Sequence, residues 1–180
     1  MLTGAWKLNS SSSLDLNTNS NTLKVKSIVT DGTDTGQCTM QGVYTLTGNS
    51  KLQATYADLA EWYTSDKDYE PGTVLVFGGD SETTTTTTFG DSSVAGVVTT
   101  DPAYTMNDGL TGTRACIALA GRTPVKVLGT VKKGDLLTTA SVAGYACKAM
   151  NPQIGTIIGK ALENKDTAGF GVIEVAVGRM

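Results

Sequence analysis

Glu70-Pro71-Gly72-Thr73-Val74-Leu75-Val76-Phe77-Gly78-Gly79 is a Pro-Gly turn that feeds a short apolar run, and a glycine pair ends it. That pattern is a turn, a strand and a second turn, with Val74 to Phe77 as the strand. A weaker echo follows in Lys132-Lys133-Gly134-Asp135-Leu136-Leu137-Thr138. Each is followed by a second apolar run, Val94-Ala95-Gly96-Val97-Val98 in the first case and Ile154-Gly155-Thr156-Ile157-Ile158 in the second. A duplicated strand-turn-strand unit is the expectation. Further strands are read in Cys116–Arg122, Val125–Leu128 and the closing Gly171–Val177. Short strands separated by Gly and Pro turns at about ten-residue spacing argue for a barrel-like or β-clip-like domain rather than an α/β fold. The six threonines Thr83–Thr88 suit an exposed or edge strand, since β-branched residues favour extended backbone, and are expected as a hairpin arm.

Working back toward the N-terminus, residues 1–55 read as thin β-hairpin segments. Leu14, Leu16 and then Leu23, Val25 recur every second position, the period of a strand with one buried face. Gly4-Ala5-Trp6-Lys7-Leu8 lies over Gly42-Val43-Tyr44-Thr45-Leu46 as an internal similarity. Two hairpins bury little by themselves, so this part is expected to be a stalk or trimerisation segment that relies on neighbouring chains. Thr55 to Tyr63 has some helix-like spacing, with Leu59, Trp62 and Tyr63 on one side, a single turn or a strand fits equally well, and 56–64 is expected as a connector. The globular β domain is then 65–180. The fold class is all-β, as an intertwined homotrimer.

Composition narrows the function. Charged residues are only 17% of the chain and the net charge is −3, which gives no general field for phosphate backbones, so nucleic acid is not an expected partner. No apolar run approaches a membrane span, and the first residues lack a signal-peptide pattern, so neither insertion nor export is expected. The chain has no histidine, which removes Ser-His-Asp and Cys-His systems and imidazole metal ligands. Cys38, Cys116 and Cys147 match no metal or haem spacing and read as reduced thiols packed as small hydrophobes. No catalytic residue, metal or cofactor is expected.

Three runs carry a resemblance: Ala57-Asp58-Leu59-Ala60-Glu61-Trp62-Tyr63, then Tyr69 through Gly79, then Val94 through Tyr104. Ala118-Leu119-Ala120-Gly121-Arg122, Lys133-Gly134-Asp135-Leu136-Leu137 and Ile158 through Glu163 continue it in order. Over residues 37–180 the chain resembles the C-terminal domain of tail-fibre and other virion structural proteins of contractile-tailed, cyanophage-like bacteriophages. The resemblance implies a homotrimeric virion component assembled in the host cytoplasm, which caps a fibre tip or docks on other virion proteins and contacts a host surface glycan or protein. The Ala57–Tyr63 run also looks like the start of a self-cleaving intramolecular chaperone domain, with Asp58 and Glu61 as the acidic residues. A carboxylate pair on a short polar face is more often solvated surface.

Trp62, Tyr63, Tyr69 and Tyr104 are the candidate ligand-binding residues, because exposed Tyr and Trp supply sugar-stacking and protein hot spots. Core or subunit packing is the plainer role for them. Loops 79–92 and 104–113 are the places to look for recognition. Asp66, Asp68, Asp101 and Asp108 lie in no calcium-loop pattern, and Gly72, Gly78, Gly79 and Gly134 read as turn glycines, not a phosphate cradle.

Overall fold

The computed structural model describes residues 45–46 and 48–178. The chain divides into two compact units, Met1–Lys51 and Leu52–Met180. The stalk and hairpin repeat expected over 1–55 lie outside the described residues apart from 45–46 and 48–55, which carry no strand. The described part of the second unit is all-β and has no helix. Its strands are β1 (Asp58–Thr64), β2 (Val74–Phe77), β3 (Thr83–Thr84), β4 (Val94–Val98), β5 (Tyr104–Met106), β6 (Arg114–Leu128), β7 (Leu136–Thr139), β8 (Ala146–Lys148), β9 (Ile157–Ala161) and β10 (Phe170–Gly178).

The stretch 56–64, expected as a connector, supplies β1. It pairs antiparallel with β6 from Asp58↔Gly121 to Thr64↔Arg114. One turn of helix would carry the cost of nucleation with little to bury, whereas alternation sends Tyr63 to an apolar core and Trp62 to the other face.

At 15 residues, β6 is long enough to serve twice. Its first half lies between β1 and β4; β4 pairs with β2, β2 with β3, and Thr83 of β3 makes a parallel bridge to Ser65 just past β1. Its second half pairs with β10, β10 with β9, β9 with β7 and β7 with β8, while Ala146 of β8 pairs in parallel with Val127 of β6. The second circuit is a closed five-stranded barrel; the first is a ring closed by the corresponding bridge. β5 is added outside the first ring, parallel to β1.

The two rings are copies in register. Val74↔Val97, Leu75↔Gly96, Val76↔Val94 in the first ring matches Leu136↔Lys160, Leu137↔Gly159, Thr138↔Ile157 in the second, with a bulge at the same step. Gly72 N–H donates to Val98 O and Val98 N–H to Thr73 O; Gly134 N–H donates to Ala161 O and Ala161 N–H to Asp135 O. The duplication expected from the two turn-strand echoes therefore extends over whole five-stranded rings, and the last strand of the first continues as the first strand of the second. Gly96 and Gly159 occupy the same position. A Cβ there would stand 2.4 Å from Ala118 O and 2.2 Å from Ala176 O respectively, so both sites need the closest backbone approach.

The cores correspond as well. Leu75, Ala95, Val98, Ala115 and Ile117 fill the first ring, with Tyr63, Tyr69 and Leu119 packed against them. Their counterparts Leu137, Ile158, Ala161, Ile173 and Val175, with Val125, Val131 and Val177, fill the barrel in one larger cluster. That cluster also takes in Val74, Val94 and Val97, which leave the first ring on its other side. β2 and β4 are thus buried on both faces, which is why their sequences are unbroken apolar runs without alternation.

Two local features hold this arrangement. Where β6 leaves β1 for β10, Gly121 has φ +120°, and a Cβ there would stand 2.1 Å from Ala57 O. The loop after β9 is pinned by Lys165, which is 8% exposed and donates from Nζ to Gly129 O at 2.9 Å, Thr167 O at 2.7 Å and Gly169 O. The threonine run is not a hairpin arm. Only Thr83–Thr84 is a strand, paired with β2, and the rest lies along the barrel, where Thr139 Oγ1 donates to Thr88 O and Gly90 N–H donates to Thr139 O. Hydroxyls and backbone groups of β7 offer that segment partners that an arm in solvent would lack.

Candidate functional site

Three clefts, of 440, 340 and 190 Å³, share Thr99 and Thr100, the pair that directly follows β4. Together they form a trough along one face of β1 and β6. Alternation along β1 places Asp58, Ala60 and Trp62 on that face and Leu59, Glu61 and Tyr63 on the opposite one. Cys116 stands opposite Trp62 in the ladder and lines the same cleft.

Trp62 is the aromatic floor. The Arg114 guanidinium lies over its ring at 4.1 Å, a cation–π contact, while Nη1 donates to Asp108 O at 2.7 Å and Leu110 O at 2.6 Å. That clamp fixes the 107–113 loop against the trough wall. Asn107, in a left-handed conformation, adds a side-chain donation to Trp62 O at 3.0 Å. Thr105, Pro102 and Asp108 close the side of the largest cleft. At the other end Tyr56, Asp58, Arg122 and Glu174 line the 340 Å³ cleft. Asp58 is 5% exposed, and its Oδ2 is buried without a hydrogen-bond partner.

Of the four candidate aromatics, two meet here. Trp62 and Tyr69 line the same 190 Å³ cleft, and Tyr69 donates its hydroxyl to Asp66 Oδ1 at 2.6 Å. Tyr63 faces away, packs edge-on against Phe77 with ring centroids 5.4 Å apart, and donates to Glu61 Oε2 at 2.7 Å. Tyr104 sits beside Leu59 on the outer strand pair and is 57% exposed. Loop 104–113 borders the trough; within 79–92, Thr83–Thr84 is β3 and the part from Thr88 to Asp91 is held on the barrel. Asp58 and Glu61 project from opposite faces of β1 and form no shared carboxylate pair.

Sequence reading passed over Arg114, Thr99, Thr100 and Asp58 as members of one site. A signal was present for Arg114, the one basic residue between Lys67 and Arg122. Nothing local marked the two threonines.

The trough offers aromatic, hydroxyl and carboxylate groups for contact. Burial, reinforced by the nearby Asp58 charge, pushes the Cys116 thiol up to about 11, so it is protonated and non-nucleophilic at neutral pH. Burial also raises the Cys147 thiol. Among the described residues no group of three or more Cys, Asp or Glu side chains converges in a way that could hold a metal ion. Asp66 accepts from Tyr69 and Thr84, and Asp101 from Thr100. No protein-family model matches the chain, and no curated protein matches it either.

Proposed function

We propose that this chain is a structural component of a phage virion, a tail-fibre or appendage module that assembles as a homotrimer, docks on other virion proteins and contacts the host surface. The observation that carries an assembly role is the apolar surface of the second unit. Ile154 is 96% exposed, Met150 66%, Phe170 61% and Val172 59%. Phe170 and Val172 share one face of β10, and the Phe170 ring packs on Tyr145 with centroids 4.8 Å apart. Large apolar side chains exposed to this degree mark places that another protein covers. The virion setting rests on the six ordered blocks from Ala57 to Glu163, and the trough beside Trp62 is the part of the module suited to a host glycan or protein.

Light scattering of the full chain tests the reading. A homotrimer has three times the 18.7 kDa chain mass at all but the lowest concentrations. A monomer throughout a dilution series would sink the trimer, and with it the fibre role.

A further inference from the structure

We propose that the barrel face formed by Leu136, Ile154 and Lys160 is a docking site for a second copy of this chain, whose first ring binds there as the two rings bind each other within one chain. The inference rests on the homo-oligomer reading above and adds which faces meet.

The internal duplication is what points to it. On the first ring, Val74, Val94 and Val97 face outward from the ring and are 2%, 5% and 0% exposed, because the barrel covers them. The positions that correspond in the barrel are Leu136, Ile157 and Lys160, fixed by the matching registers. Of these, Ile157 is 5% exposed, whereas Leu136 is half-buried and Lys160 exposed. They line an open, largely apolar cleft of 310 Å³ together with Pro152 and Ile154. The same face of the same ring is thus sealed in one copy of the repeat and left partly open in the other.

The open part of that face is already built for contact. Ile154 stands at the tip of a tight turn in which Thr156 N–H donates to Gln153 O at 3.2 Å and Thr156 Oγ1 donates to the same oxygen at 2.7 Å. A side chain held out by a fixed turn has less to lose in ordering on association.

The occupant follows from the covering surface inside the chain. The barrel covers the first ring partly through Lys126, whose N–H donates to Gly72 O, and Thr139, whose Oγ1 accepts from Asp91 N–H. Their counterparts in the first ring are Thr64 and Phe77, and Phe77 is 38% exposed. Glu82 is held beside Thr64 by a backbone donation at 2.8 Å. Charge agrees with this pairing. Residues 58–114 carry ten carboxylates and two basic side chains, while 115–178 carry seven basic and four acidic ones. Lys160, standing where the first ring has the buried Val97, would meet the acidic ring of the next copy. Such an interface joins two different surfaces, so it closes into a ring of copies if the rotation allows.

The experiment is light scattering across a dilution series on the full chain, on Ile154→Asp, on Lys160→Glu and on Phe77→Asp, each first shown to be folded by circular dichroism. Ile154→Asp is expected to lose the assembly, and Lys160→Glu to weaken it about tenfold, roughly 1.4 kcal/mol. Each copy of Ile154→Asp retains its first-ring surface, and each copy of Phe77→Asp retains its barrel face. An equimolar mixture of the two is therefore expected to give a dimer that grows no further. A native chain that is monomeric sinks this inference together with the homotrimer. A native oligomer that Ile154→Asp and Lys160→Glu leave intact overturns the interface alone. If Phe77→Asp does not fold, those two exposed-site variants still decide.

Discussion

The first ring and the barrel have one topology and one register, yet only the barrel would pass for a conventional core. Its counterpart positions are filled by Ile158, Ile173 and Val125, where the first ring has Ala95, Ala115 and Tyr63. The first ring gathers the acidic residues and bears the trough; the barrel gathers the basic ones and an exposed isoleucine. A duplicated scaffold can thus be divided into a half that closes its own core and a half whose outer face is buried as well. In the first ring, burial of Val74, Val94 and Val97 against the barrel adds to what its interior supplies.

The severest break is Gly121→Val, at the joint. A β-branched residue with φ near +120° and a Cβ placed on Ala57 O disturbs both rings together, and a loss of about 4 kcal/mol or more is expected, read as loss of a folded circular-dichroism melt. Leu75→Ala and Leu137→Ala then compare the rings at one position. Both side chains are fully buried, and each truncation is expected to cost about 2–5 kcal/mol in urea unfolding, Leu137→Ala more because its cluster is larger. Equal losses would mean that the two interiors behave as one.

Ring closure gives a finer comparison. Thr83 is fully buried and its Oγ1 donates to Thr64 O at 2.9 Å, whereas Ala146, its counterpart, has no hydroxyl. Thr83→Val is expected to cost about 1–2 kcal/mol, with faster amide exchange confined to β1 and β3. Exchange that rises equally in β8 would deny the first ring its own closure. The smallest effect is in acid. The Ser93 backbone N–H, aided by Thr86, holds Asp91 below the ordinary aspartate range, and the Lys132 backbone N–H followed by Lys148 does so for Asp135. A depressed folded value contributes stability that is complete above about pH 4 and is lost as pH falls through that value. Asp91→Asn should therefore lose less stability than the native chain between about pH 5 and about pH 2.

Much of this was legible in the residues. The two glycine-turn echoes and the apolar runs after them announced the all-β class, the barrel and the duplication, because a turn glycine and a doubly buried strand leave local marks. The second apolar run was placed slightly early, since Ile154 belongs to the turn and the strand begins at Ile157. Residues alone leave helical turn and strand equally open over 56–64 because the partner of β1 is β6, fifty or more residues away, and a strand's pairing is not a local property. Of the four candidate aromatics Trp62 and Tyr69 line one cleft, and the separation of Tyr63 from Trp62 follows only once β1 is known to be a strand whose faces alternate. The net charge of −3 concealed a sharp division between the halves, which a count by segment would have exposed.

Lys165 gives the loop after β9 something that many extracellular modules obtain from solution. Three carbonyl oxygens converge on its ammonium group much as they would on a bound metal ion. Here the cation is tethered by its own side chain, so dilution cannot strip it from those three oxygens.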